Sequence, residues 1–160
     1  MVSAALLAVS VGFASASGTS TQGEVHVYEA DINDAGNVGT VILTGAITDY
    51  GTDYQGAGPD GSNRIVLTKG EFAVDVSKVG TKLHNLPVDP TTCSADGTVA
   101  GRIPIVPDSG KGAYAGISGT LDIKASEASI ACGGTSGEWF PGVLIVRGSG
   151  TVRLPHQRFQ

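Results

Sequence analysis

Apolar and polar residues alternate along much of this chain with a period of two, the period of a β-strand buried on one face. The clearest stretch is Gly70 to Val79, where Phe72, Val74 and Val76 alternate with Glu71, Ala73, Asp75 and Ser77. Glu24 to Ala30 repeats the pattern, with Val25 and Val27 on one face and His26 and Tyr28 on the other. Val38–Ile47, Asn63–Lys69, Thr81–Val88, Cys93–Val106, Ser118–Cys132 and Val143–Leu154 bring the set to about eight runs, a number and spacing typical of all-β domains. Between them lie turn-rich stretches at Asp31–Asn37, Asp49–Asn63 and Asp108–Gly119. No segment shows the 3.6-residue period of an amphipathic helix. The pattern predicts an all-β fold: one closed, eight-stranded antiparallel β-barrel, lipocalin-like, over residues 24–155. At that strand number the interior is filled by side chains or holds one small ligand.

Composition agrees with this reading. Glycine accounts for 24 of 160 residues and charged residues for 16%, which excludes a coiled coil. Ten Lys+Arg face fifteen Asp+Glu, a net charge of -5 with no basic run, so no nucleic-acid partner is expected. The first charge is Glu24. The apolar run Ala4–Ala14 precedes Ala14-Ser15-Ala16, a small-x-small cleavage pattern. Residues 1–16 therefore read as a signal peptide, too short for a transmembrane segment, and the protein as secreted. Two cysteines, Cys93 and Cys132, fit a disulfide in that oxidising compartment, with two separate buried thiols as the alternative. There is no C-x-x-C, and His26, His84 and His156 are not spaced as ligands, so no metal site is expected. Gly110-Lys111-Gly112-Ala113-Tyr114-Ala115 matches a loose nucleotide-loop pattern but is followed by a strand-like run, so it reads as a turn. No serine-hydrolase elbow is present. Trp139 and Phe140, ahead of the last run, read as a plug for one end of the barrel.

The stretch Ser109-Gly110-Lys111-Gly112-Ala113-Tyr114-Ala115-Gly116-Ile117-Ser118-Gly119-Thr120 resembles the Gly-Thr-Gly-x-Tyr/Phe-x-x-Ala-x-Gly signature of the dirigent and allene oxide cyclase-like superfamily, in its secreted actinobacterial form. Gly45–Gly51 is similar to the early loop of those proteins, and Asp89–Cys93 to their cysteine-bearing segment. The usual Gly-Gly-Thr-Gly is replaced by Asp108-Ser109-Gly110-Lys111-Gly112. The resemblance implies an eight-stranded barrel holding a small hydrophobic molecule, and needs no cofactor. Some members are cyclases that act by confinement, so if the protein is an enzyme the resemblance implies a cofactor-independent cyclase or isomerase. Plant members often form dimers or trimers, so a homodimer or homotrimer is the expected assembly.

The expected function is thus a secreted barrel binding a small hydrophobic molecule in its lumen. The candidate ligand-binding residues are Tyr28, Asp49, Tyr50, Phe72, His84 and Tyr114, with Tyr114 equally suited to pinning the Gly-rich turn. No catalytic residue is singled out. The alternative is a non-catalytic structural or interaction protein of the cell envelope whose barrel is filled by its own side chains.

Overall fold

Residues 20–33, 38–130 and 142–155 are described by the computed structural model. Ten strands run β1 (Thr21–Asn33), β2 (Val38–Gly45), β3 (Asp49–Tyr54), β4 (Asn63–Leu67), β5 (Gly70–Val74), β6 (Val88–Asp89), β7 (Ser94–Pro104), β8 (Lys111–Gly112), β9 (Ser118–Ile130) and β10 (Gly142–Leu154), with one helix, α1 (Ser77–His84), after β5. They form one antiparallel sheet in the order β6-β7-β9-β10-β1-β2-β3-β4-β5-β8. Alternation sends Val25 and Val27 of β1, Val41 and Leu43 of β2, Ile65 and Leu67 of β4, Leu121 and Ile123 of β9, and Val146 and Val152 of β10 into one shared core. Among the described residues no helix is long and apolar enough to cross a membrane.

The all-β antiparallel expectation holds, but the closed eight-stranded barrel does not. Among the described residues the sheet has ten strands and is not closed. Within them its margins meet where Val74 of β5 bridges Ile105, just past β7. There Asp75 N donates to Pro104 O (2.9 Å) and Val106 N to Ala73 O (2.9 Å). The ladder goes no further because β5 stops. The Asp75 carboxylate accepts the Ser77 N–H (2.9 Å), a local turn that competes with strand extension and starts α1. The helix then covers the gap. Val79 is buried against Gly101 of β7, where an added Cβ would lie 2.5 Å from Val79 Cγ2. Lys82 Nζ donates to Ala100 O (2.7 Å), satisfying a carbonyl on β7.

Two local expectations change with this. Gly70–Val79 and Thr81–Val88 do not make two strands; they make β5, α1 and the start of β6. Val76, Val79 and Leu83 do have helical i, i+3, i+7 spacing, but over so short a helix the first half also reads as alternation. Asp49–Tyr54, expected as loop, is β3. Its inward positions are Asp49, Gly51 and Asp53, so it carries no apolar signal. Residues 1–16, Cys132, Trp139 and Phe140 lie outside the described residues; Cys93 sits in the turn between β6 and β7, its N–H on Asp89 O (2.8 Å).

The Gly-rich segment after β7 folds under one end of the sheet. Gly112 has φ +61 at its contact with β5, where a Cβ would come within 2.7 Å of Lys69 O. This turn inserts Tyr114, which is buried and packs edge-on to Phe72 (centroids 5.7 Å, interplanar 75°). The Tyr114 hydroxyl donates to Asp49 Oδ2 (2.5 Å). Asp49 also accepts from Tyr50 N (2.8 Å), Lys69 N (3.1 Å) and the Thr68 hydroxyl. Burial raises the Asp49 pKa, but these four donors outweigh it and hold the carboxyl at about 2.

Two outcomes follow for stability. Tyr114→Phe removes one donor to a buried carboxylate and should cost about 1.5–3 kcal/mol, read as a lower urea midpoint with unchanged slope. Because the folded Asp49 pKa lies below its ordinary 3.8, its contribution is complete above that value and is lost as pH falls toward about 2. Asp49→Asn should therefore remove part of the acid limb of a stability–pH curve; an unchanged limb would contradict the assignment.

Candidate functional site

The inward faces of the strands do not meet in the middle. They enclose a cavity of about 690 Å³, a size that accommodates a small organic ligand. Its walls are apolar over most of their extent, with Val27, Leu43, Ile65, Phe72, Ile123 and Val146 among them. Val79, Leu83 and His84 of α1 line the side where the sheet margins separate.

One end of the cavity is acidic, and β1 shows why. Its inward positions read Val25, Val27, Glu29, Asp31, so one strand face changes from apolar to carboxylate halfway along. Gly39 of β2 then leaves room beside Glu29. A Cβ on Gly39 would sit 2.7 Å from Glu29 Oε1, so the carboxyl lies over the space a side chain would fill. Asp53 stands opposite Gly39 on β3, and Glu29 and Asp53 hydrogen-bond across it. Asn63 and Gln55 complete the cluster: Asn63 Nδ2 donates to Asp53 Oδ2 (2.7 Å) and Gln55 Nε2 to Asp31 Oδ2 (3.0 Å).

The cluster is short of donors. Asp53 is 1% exposed, yet its Oδ1 has no N–H or hydroxyl partner, and neither has the buried Oδ1 of Asp31. A contact between two buried carboxyls is favourable when one of them is protonated, and the surroundings favour the proton on Glu29. Burial first, then the charge of Asp53, their mutual hydrogen bond and the charge of Asp31 push Glu29 well above the usual carboxyl range. Burial also raises Asp53, against the lowering effect of Asn63 and Glu29, with Asp31 adding to the rise. Asp31 is raised by burial, opposed by Gln55. Such a pair can give a proton to a bound molecule, take one from it, or hold a positive charge. Among the described residues no group of three or more His, Cys, Asp or Glu side chains is placed to hold a metal ion.

The residues expected at a site divide three ways. Phe72 and His84 line the cavity. Asp49 and Tyr114 are buried and bonded to each other but do not line it. Tyr28 (48% exposed) and Tyr50 (64% exposed) are on the outer face of the sheet. Both occupy the strand phase opposite to the lumen-facing one, in which Glu29 and Asp53 lie. Sequence reasoning missed Glu29, Asp31 and Asp53. A signal for two of them was present: they continue the Val25–Val27 face, where carboxylates are out of place unless the interior is polar there. No family model matches the chain, and neither a curated protein nor a solved structure matches it.

Glu29→Gln keeps the side-chain shape and gives Asp53 a donor that needs no shared proton. With the folded Glu29 pKa raised, the native state holds a proton that the unfolded chain releases, so its stability falls as pH rises above the ordinary carboxyl value of 4.5. The variant should lose that slope and melt about 2–4 °C higher at neutral pH for each kcal/mol recovered. Melting curves against pH check this; a variant with the parent's slope would show that Glu29 is ionised in the folded protein.

Proposed function

We propose that this protein is an exported barrel-like binder that holds one small, largely apolar molecule in its cavity, with the Glu29–Asp53 pair fixing the molecule's polar group. The observation that carries this reading is the cavity itself: apolar walls closing on a cluster of buried carboxyls with unmet hydrogen-bonding capacity. Such a cluster costs stability and is retained where it meets a ligand. The resemblance of Ser109–Thr120 to dirigent and allene oxide cyclase-like proteins points the same way. The catalytic form of this function is a cofactor-free isomerisation or cyclisation. Glu29 would hand its proton to one atom of the ligand while ionised Asp53 takes one from another, so no proton is gained or lost overall. The apolar walls would hold the reacting chain in one folded shape. Export and a Cys93–Cys132 disulfide belong to the same reading.

A second reading has its own observation. Tyr28, Ile42 and Tyr50 stand in register on neighbouring strands β1, β2 and β3, all exposed on the outer face. This row supports the alternative role of an interaction protein of the cell envelope.

Native mass spectrometry of the protein from its own culture medium should show a retained small hydrophobic mass. Uptake of a neutral hydrophobic fluorophore should be saturable. Ala125→Phe, which directs a ring into the cavity from its wall, should cut that uptake at least about tenfold, as lost pocket volume does. Tyr28→Ser with Tyr50→Ser should leave uptake unchanged. Uptake that survives Ala125→Phe but fails in the tyrosine double variant would transfer the binding function to the outer face. Intact mass without reductant should be lower by two hydrogens than after reduction.

A further inference from the structure

We propose that the molecule taken by this cavity carries a primary or secondary ammonium group, seated between Asp31 and Asp53. The inference rests on the ligand-holding role above and names its chemical class. Asp31 Oδ1 and Asp53 Oδ1 are both buried and both lack a donor, while the second oxygen of each carboxyl is already taken by Gln55 or Asn63. The two vacant acceptors lie on β1 and β3, with β2 between them, and both side chains line the cavity's acidic end, where the charge of Asp31 acts on Asp53. A ligand that completes them must bring two donors to one place. A ketone brings none, an alcohol brings one, and a carboxylate brings the wrong charge. An ammonium with at least two N–H bonds brings both donors and the compensating charge, in charge-assisted bonds stronger than neutral ones. Among the described residues the ion pairs join Arg64 and Lys111 to Glu71 and Arg102 to Asp122, so no lysine or arginine pair neutralises the cluster. The apolar walls take the rest of the molecule.

Seating the cation displaces the proton between Glu29 and Asp53 to solvent, leaving both ionised beside the ammonium. Affinity therefore rises with pH as the pair gives up its proton. The other titratable groups facing the cavity are Asp31 on the same strand, Glu127 on β9 and His84 on α1.

The test displaces a neutral hydrophobic fluorophore with dodecylamine, dodecanol and dodecanoate, three chains differing only in the head group. The amine should bind at least about tenfold tighter than the alcohol at about pH 8, with dodecanoate weakest, and this margin should shrink at about pH 5. Asp53→Asn should weaken the amine at least about tenfold more than the alcohol, closing the margin between them. Asp31→Asn, at a less buried position, should reduce the margin by the same mechanism and keeps the test usable if Asp53→Asn does not fold. An amine no tighter than the alcohol, or a margin untouched in a folded variant, overturns the ammonium assignment while the ligand-holding role stands. Failure of all three chains to displace a bound fluorophore, or of the fluorophore to bind at all, overturns both.

Discussion

The inward face of β1 has to serve two ends of one interior, and the rest of the molecule is arranged around that constraint. This strand pairs with β10 over its whole length and with β2 along its middle, so its register sets both halves of the sheet. Strand geometry allows no choice of face within the run: once Val25 and Val27 point inward, Glu29 and Asp31 must follow. The carboxyls enter the interior as a consequence of the same pleat that buries the valines. What the remaining strands supply is the means to tolerate them: a missing side chain at Gly39, an amide at Asn63, and a second carboxyl at Asp53 to share a proton.

Two buried carboxylates of the same strand, Asp49 and Asp53, show how surroundings decide what an acid does. Both face inward from β3. Asp49 meets four donors, loses its affinity for protons, and ties the Gly-rich turn to the sheet through Tyr114. Asp53 meets one amide and a neighbouring acid, gains affinity for protons, and keeps an oxygen available to the cavity. The first arrangement is a structural lock; the second is an unfinished coordination sphere. Donor supply separates them, because both are almost completely buried.

The open margin of the sheet is part of the same economy of space. A fully laddered closure between β5 and β7 would need β5 to continue, and the Asp75–Ser77 turn ends it. Covering the gap with α1 satisfies the Ala100 carbonyl on β7 through Lys82 and brings Val79, Leu83 and His84 to the cavity wall.

Much of the fold was legible without coordinates. Period-two alternation identified β2, β4, β7, β9 and β10 closely and the middle of β1, because burial on one face writes itself directly into residue order, whereas 31–33, expected as turn, are the end of β1. The Gly-rich turn and the anchoring role of Tyr114 could be read from local chemistry. β3 could not, since its inward positions are Asp49, Gly51 and Asp53, which look like a loop. Nor could α1, whose eight residues are too few to separate a helical period from an alternating one. Site residues divided along the same line. Phe72 and His84 reach the cavity; Tyr28 and Tyr50 face outward, because periodicity gives two faces and does not say which is inside. The sequence by itself determined the class of the fold and the strand-by-strand pairing of faces. Only the tertiary structure decided that Glu29, Asp31 and Asp53 meet at one end of one cavity, because acids on β1 and β3 come together, and shift one another's pKa values, only when the sheet curls.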